Sequence, residues 1–333
     1  MAQKGISVII CTYNGAERLN ETIAHVAQQV IPAPISWEVV LADNGSTDNS
    51  AETGQREWEK HAISTVPFRV IKEKKAGKLF ALQKAVNAAN YEYLVICDDD
   101  NWLAPDYLNK VWQLFTAMPD VVALGGFGIP VTNGVALPEW FNDYTYAYAV
   151  GAQAKETGIL APRAFLWGAG MATHKSVYQE MYKTVPSLLP EHNETNILSA
   201  EDTEYSLRLQ LKDYKLYYDD SLVYQHYIPA ARLTVAYREK LLKGFRDSYA
   251  ILGKYHTAIR VKTKFGNRPY RWLFLMIASL WTMVFSRKKH SRERARNTLF
   301  FLIPSSDKNN PILNSIRTFL KDTKIINGTS NDL

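Results

Sequence analysis

Residues 93–105, YLVICDDDNWLAP, decide how the chain is read. Residues 93–97 form an apolar run of the kind that fills a strand buried on both faces, and the run stops abruptly at Asp98-Asp99-Asp100. Pro105 and Asp106 then open a helix, because proline is tolerated at an early helical position and an acid favours the first turn. The same alternation recurs towards the N-terminus. Residues 6–11, 38–42 and 68–71 read as strands, separated by helical patterns over 16–29, from Asp48 onwards and over 77–89. Such alternation predicts βαβ units and a mostly parallel sheet, an α/β class. Downstream, 121–124 reads as a strand and Gly125-Gly126 opens an aromatic-rich stretch to Gly151. Helices are expected at 175–182 and 202–211, with 216–218 and 222–224 as two short strands near the sheet edge.

The length of 333 residues and a hydrophobic fraction of 47% exclude a wholly disordered chain and suit one large domain with an appendage. Net charge is +6, but it is segregated: residues 1–226 carry 18 basic and 27 acidic side chains, whereas residues 227–333 carry 21 and 6. The expected division is therefore an acidic, ligand-binding region over 1–226 and a basic, mainly helical region over 227–333. The two cysteines, Cys11 and Cys97, lie in apolar runs, which excludes a disulfide framework or a cysteine zinc site and predicts buried thiols. Residues 1–11 lack the basic and longer apolar regions of a secretory signal, so a cytoplasmic location is expected.

In an open parallel sheet, ligands bind at the carboxyl ends of strands. Four polar clusters fall there: Thr12-Tyr13-Asn14, Asp43-Asn44-Gly45-Ser46, Gly77-Lys78 and the acidic triplet. Three consecutive carboxylates repel one another, and a divalent cation such as Mg²⁺ or Mn²⁺ resolves the conflict; a solvated acidic helix entry is the alternative. Glu201-Asp202 precedes a second helical pattern and reads either as an N-cap or as a general base, since an ionised aspartate can accept a hydroxyl proton.

Five segments in this order, ISVIICTYN (6–14), VVLADNGSTDNS (39–50), GKLFALQKAVNAA (77–89), YLVICDDDNWLAP (93–105) and AEDTEYSLRL (200–209), resemble the family 2 glycosyltransferases over roughly 6–226. The resemblance implies an A-type glycosyltransferase fold, a nucleotide-sugar donor, most plausibly UDP-linked, a divalent metal and inversion at the anomeric carbon. Carried over by position, Thr12, Tyr13 and Asn14 look like donor contacts, Asp43 like the acceptor of a nucleobase hydrogen bond, and Gly77 and Lys78 like groups beside the nucleotide. Asp98 and Asp100 fit the Asp-x-Asp pattern, with Asp100 expected on the metal and Asp98 and Asp99 on metal, ribose or phosphate. Asp202 resembles the catalytic base, with Glu201, Trp167 and Gly168 near the donor sugar and acceptor. His226 resembles a histidine near the diphosphate or metal, although a histidine after a strand is also a common structural element. The aromatic group Trp140, Phe141, Tyr144, Tyr146 and Tyr148 suits core packing or a lid over a sugar.

The basic region contains an apolar run, 272–285, bracketed by Arg268 and Arg271 and by Arg287-Lys288-Lys289. It is shorter than the ~20 residues that span a bilayer, so a core or interfacial helix is expected. Its polar side chains Ser279, Thr282 and Ser286 align with Arg268 and Arg271 as one narrow stripe. No nucleic-acid-binding motif accompanies the charge. The pattern predicts attachment through 269–296 to an anionic membrane surface on the cytoplasmic side. The family resemblance implies a saccharide or lipid-linked saccharide acceptor in cell-envelope or capsular polysaccharide assembly. Two rival readings, a nucleotidyltransferase and a non-catalytic carbohydrate-binding protein, differ in their products.

Overall fold

The computed structural model describes residues 3–32, 34–61, 63–189, 200–265, 269–303 and 310–321. Its first half alternates as the sequence predicts: β1 (Gln3–Thr12), α1 (Ala16–Ala27), β2 (Trp37–Asp43), α2 (Ser50–Lys60), β3 (Phe68–Lys72), α3 (Lys78–Ala88) and β4 (Tyr91–Asp98). Then follow β5 (Asn101–Leu103), α4 (Tyr107–Ala117), β6 (Val121–Val131), β7 (Gly158–Ile159), β8 (Ala172–His174), α5 (Lys175–Lys183), α6 (Glu201–Leu211) and β9 (Lys215–Tyr227). Four helices close the described chain: α7 (Val235–Phe265), α8 (Pro269–Phe285), α9 (Lys289–Leu302) and α10 (Pro311–Lys321).

One mixed sheet of order β3-β2-β1-β4-β8-β6-β9-β5 organises the fold, with β7 paired to β9. The β3-β2-β1-β4 part is parallel, and its register sets Thr12 level with Asp43 and Cys11 level with Asp98. The polar clusters at these strand ends are thereby brought to one edge of the sheet. The alternation of side chains along each strand feeds two cores. Val8, Ile10, Val39 and Leu41 pack towards α1, α2 and α4, whereas Ile9, Cys11, Val40 and Ala42 pack towards α3, α5 and α6. Tyr255 and Ile259 of α7 and Ile316 and Phe319 of α10 join the second core, so packing continues past the charge boundary near residue 226. Burial pushes the Cys11 thiol up to about 12, in keeping with a structural role.

Two expected short strands, 216–218 and 222–224, are one continuous strand, β9. Their separation in the sequence is the polar Asp219-Asp220-Ser221, which forms a bulge: the partners of Gly125 and Phe127 are Tyr218 and Val223, and Asp219 Oδ1 accepts from the Ser221 amide at 2.9 Å. Gly126 faces the bulge, where a Cβ would collide with the Leu222 carbonyl. β5 and β8 have too few residues to leave a periodic signal, yet both are laddered into the sheet.

α6 is anchored by an ion pair. Arg208 and Glu204 have fully buried side chains, with Nη2 3.0 Å from Oε1. Burial opposes the guanidinium charge, but Glu204 holds the Arg208 pKa above its ordinary value. Arg208 also donates to the carbonyls of Met181, Val185 and Pro186, while the Tyr255 hydroxyl from α7 donates to Glu204 Oε1 at 2.8 Å. Removing one partner of such a pair strands the other charge. Arg208→Ala should therefore lower the unfolding free energy by about 3–5 kcal/mol in a denaturant titration. A loss below about 1 kcal/mol would show that this pair does not hold α6 in place.

Candidate active site

The site lies where β1, β2 and β4 end. Thr12 closes β1, and the chain turns through Asn14, whose φ of 49° is in the left-handed region tolerated by asparagine. Asp99 fixes this turn: it accepts from Thr12 Oγ1 at 2.6 Å and from Arg18 Nε and Nη2 at 3.0 and 2.8 Å. Gly77 precedes α3 with φ 125°, a conformation that L side chains rarely adopt, and its amide donates to Asn44 Oδ1 at 2.8 Å. That turn aims Lys78 across the strand ends, with Nζ 2.6 Å from Asp98 Oδ1 and 3.4 Å from Glu201 Oε1. Burial works against the ammonium, but Asp98 and Glu201 hold its pKa well above the ordinary value.

β5 and β9 pair antiparallel with Asn101 opposite His226, and the Tyr227 amide donates to the Asp100 carbonyl at 2.8 Å. This pairing brings His226 to the triplet. Its Nε2 is 3.5 Å from Asp100 Oδ1, while Arg232 Nη1, from the 3₁₀ turn after β9, is 2.8 Å from Asp100 Oδ2. Burial would raise the Asp100 pKa, yet His226 and Arg232 hold it well below the carboxylate range. Asp99 moves the other way: burial raises its pKa despite Arg18, and ionised Asp100 adds to the rise.

Across the cavity, α6 begins at Glu201. Asp202 is not an N-cap; Ala200 stands at that position. Instead Asp202 Oδ2 accepts from the Gly168 amide at 2.9 Å and Oδ1 from the Thr203 amide at 2.6 Å. Burial raises the Asp202 pKa to about 6, Glu201 adds to the rise, and the two amides and Lys78 limit it. An acid poised there is ionised at neutral pH and can still take up a proton.

Thr12, Tyr13, Lys78, Asp98, Asp99, Asp100, Gly168, Glu201, Asp202 and His226 all line one cavity of about 340 Å³. Asn14, Asp43, Gly77 and Trp167 do not line it. Asn14 Oδ1 accepts from the Thr47 amide at 2.8 Å, Asp43 Oδ1 accepts from the Ser46 amide at 2.9 Å, and the Trp167 amide donates to Gln153 Oε1 at 2.7 Å. These residues shape the loops around the opening. Two charged residues of the cavity carry no signal in the sequence, Arg18 and Arg232. Arg18 sits in the first turn of an ordinary amphipathic helix, and Arg232 is one of many basic residues beyond 226, so neither had a local signal. In the aromatic group, Phe141 and Tyr148 are buried beside Tyr237 of α7. Tyr148 also lines the cavity and donates to the Arg232 carbonyl at 3.0 Å, whereas Tyr146 is exposed.

Among the described residues, no three His, Cys, Asp or Glu side chains gather as a metal-holding group. Asp100 Oδ1 and His226 Nε2 nonetheless form a two-donor set, one carboxylate oxygen and one imidazole nitrogen, that fits a divalent transition metal such as Mn²⁺ whose other positions phosphate oxygens and water would fill. His226 Nδ1 is buried without a partner.

Residues 7–180 match Glycosyl transferase family 2. The poly-beta-1,6-N-acetyl-D-glucosamine synthase of Staphylococcus epidermidis is 23% identical over 216 residues, 65% of this chain and 48% of that protein, so this chain spans about half of that relative's length. The chondroitin synthase of Escherichia coli is 34% identical over 124 residues, 37% of this chain and 17% of that one. Among solved structures, Staphylococcus aureus TarS 1-349 in complex with UDP superposes with a TM-score of 0.53 at 16% identity, covering 95% of this chain and 87% of that one. The same protein with UDP-GlcNAc gives 0.51 at 15% identity, covering 89% and 91%. The likeness is one of fold, the A-type glycosyltransferase fold. With the matched segment running from β1 to α5 over more than half its length, the chain belongs to glycosyl transferase family 2.

Proposed function

We propose that the protein transfers a sugar, with inversion, from a nucleotide-sugar donor, most plausibly UDP-linked, to a saccharide or lipid-linked saccharide hydroxyl in cell-envelope or capsular polysaccharide assembly. The observation that carries the proposal is the division of carboxylates in one cavity: Asp98, Asp99 and Asp100 on the β4 side, and Asp202 on α6 with a pKa near 6. Tyr13, exposed just after β1, offers a flat ring to a nucleobase, and Asn44 lines the same cavity. Lys78 and Arg232 supply positive charge beside the leaving diphosphate. Asp100 and His226 would hold a Mg²⁺ or Mn²⁺ ion, which when bound neutralises charge growing on that diphosphate. Asp202 accepts the proton of the attacking hydroxyl, with the Gly168 amide fixing its carboxylate. The polysaccharide products named for the relatives support the pathway assignment by analogy.

We further propose that residues 227–333 hold this catalytic region at an anionic membrane surface. No helix among the described residues is long and apolar enough to cross a membrane. α8 is instead turned inside out: Ser279 is buried, while Leu273, Phe274, Ile277, Leu280, Trp281, Val284 and Phe285 are exposed. Those positions recur every three to four residues and form one outer apolar face. Arg268 and the side chain of Arg271, the other members of the expected polar stripe, lie outside the described residues. The exposed Arg287, Lys288, Lys289 and Arg292 follow the apolar face directly, and each basic group near an anionic surface contributes about 1 kcal/mol.

Three outcomes test these proposals. Turnover should release nucleoside diphosphate rather than pyrophosphate, and Asp202→Asn should reduce it by about 10²–10⁴-fold while leaving UDP affinity within about threefold, measured by product chromatography and calorimetry. Residual turnover above about a tenth would remove Asp202 as the base. The wild-type kcat/KM profile should fall as pH drops through about 6, where Asp202 protonates. Glu201→Gln, which removes the neighbouring negative charge, should move that limb to lower pH; an unmoved limb would assign it to another group. Phe274→Gln with Trp281→Gln should weaken co-sedimentation with phosphatidylglycerol vesicles by about tenfold or more, since both side chains are exposed and their loss leaves folding intact. Unchanged sedimentation would end the α8 assignment.

A further inference from the structure

A second cavity, of about 440 Å³, lies between α7, α9 and the 162–164 loop, on residues that the catalytic reading does not use. Its wall carries Arg163, His256, Arg260, His290 and Arg294, with Glu293 as the acidic member. Three buried or half-buried guanidiniums elsewhere in the molecule are matched by acids: Arg18 by Asp99, Arg208 by Glu204 and Arg232 by Asp100. Among the described residues, the half-buried Arg260 and the exposed Arg163 and Arg294 that flank it have no such ion pair. Arg260 donates to Thr298 Oγ1 at 2.8 Å, and Arg294 Nη2 meets His290 Nε2 at 2.7 Å, both uncharged acceptors when His290 is neutral. The cations bear on one another. Burial lowers the Arg260 pKa, with Arg294 and Arg163 adding to the fall, and burial followed by Arg163 lowers that of His256.

Two features of the backbone keep this place open. Arg163 has φ 74°, a left-handed conformation that costs a non-glycine residue about 1–2 kcal/mol. Gln210 clamps it there, accepting from the Arg163 amide and donating to the Ala164 carbonyl. Strain maintained by tertiary bonds is found where a side chain must be aimed. Gly253 lies inside α7, where glycine is about 0.5–1 kcal/mol worse than alanine. Packing does not require it: a Cβ there would make only ordinary contact with the Tyr249 ring, at 3.6 Å. The missing side chain leaves room in the cavity wall.

We propose that this cavity is a binding site for a phosphate group, supplied either by free phosphate or by the head group of an anionic phospholipid. Guanidiniums present forked donors that suit phosphate oxygens, and a dianion removes the repulsion among the three arginines. His290 stands five residues beyond Phe285, the end of the apolar α8, which places the cavity next to the segment assigned to the membrane. The proposal does not rest on the catalytic reading and can fail separately from it.

The test is thermal unfolding of the full chain with inorganic phosphate, with dihexanoyl phosphatidic acid below its micellar concentration, and with dihexanoyl phosphatidylcholine, each against sodium chloride of equal ionic strength. Phosphate at about ten times its Kd should raise Tm by about 2 °C or more. The Arg260→Gln, Arg294→Gln double variant should lose that shift and unfold at an equal or higher temperature in phosphate-free buffer, because like charges have been removed. Arg163→Gln, an exposed change at the rim, should weaken phosphate binding at least threefold and guards against a misfolded double variant. Phosphatidic acid at least tenfold tighter than phosphate identifies the head group as the source, and equal affinities identify free phosphate; either supports the site. No shift beyond the chloride control, an equal shift in the variants, or an equal shift from phosphatidylcholine would overturn it.

Discussion

Three adjacent carboxylates can stand at the end of β4 because each faces its own lysine or arginine. Lys78 takes Asp98, Arg18 takes Asp99, and Arg232 takes Asp100, with the His226 ring beside it. Each cation comes from a different element: Lys78 from α3, Arg18 from α1, and Arg232 from the turn after β9. The triplet therefore draws together the two halves of the sheet and the first segment of the basic region. Neutralisation also separates the carboxylates by character. Asp99 is held in a structural fork with Arg18 and Thr12, whereas Asp100 stays strongly acidic beside groups that a substrate phosphate or a metal can engage.

The opposite wall depends on a different balance. α6 presents Glu201 and Asp202 to the cavity at its first turn, and seven residues on from Glu201 the buried Arg208 ties the same helix to α5, α7 and Glu204. Asp202 is consequently placed by a core interaction some two turns away. Its raised pKa follows from that placement, since burial and the fixed neighbour Glu201 both disfavour the carboxylate.

Much of this was legible in the sequence, for reasons that can be named. The parallel strands β1, β2 and β4 are continuous apolar runs ending in polar clusters, and a run ending in charge marks the strand's carboxyl end without ambiguity. Thr12, Lys78, Asp100 and Asp202 accordingly converge as expected. What the sequence hid is long-range or short: the three-residue strands β5 and β8, the bulge in β9, and Arg18 and Arg232, whose meaning comes only from which carboxylate they meet. The triplet's repulsion was legible, but its neutralisation by Lys78, Arg18 and Arg232 was not. In α8 the composition predicted a helix and a polar stripe; only the packing reveals that the buried Ser279 faces inward and the apolar side chains outward.

The account rests on two carboxylate groups acting from opposite sides of one bound donor. A structure of the protein with a non-hydrolysable UDP-sugar and Mn²⁺ tests this most directly. It should show the diphosphate beside Asp100, His226 and Arg232, with Asp202 on the face of the anomeric carbon opposite the leaving group. A donor lying with Asp202 on the same side as its diphosphate, or seated outside the cavity between β4 and α6, would contradict it.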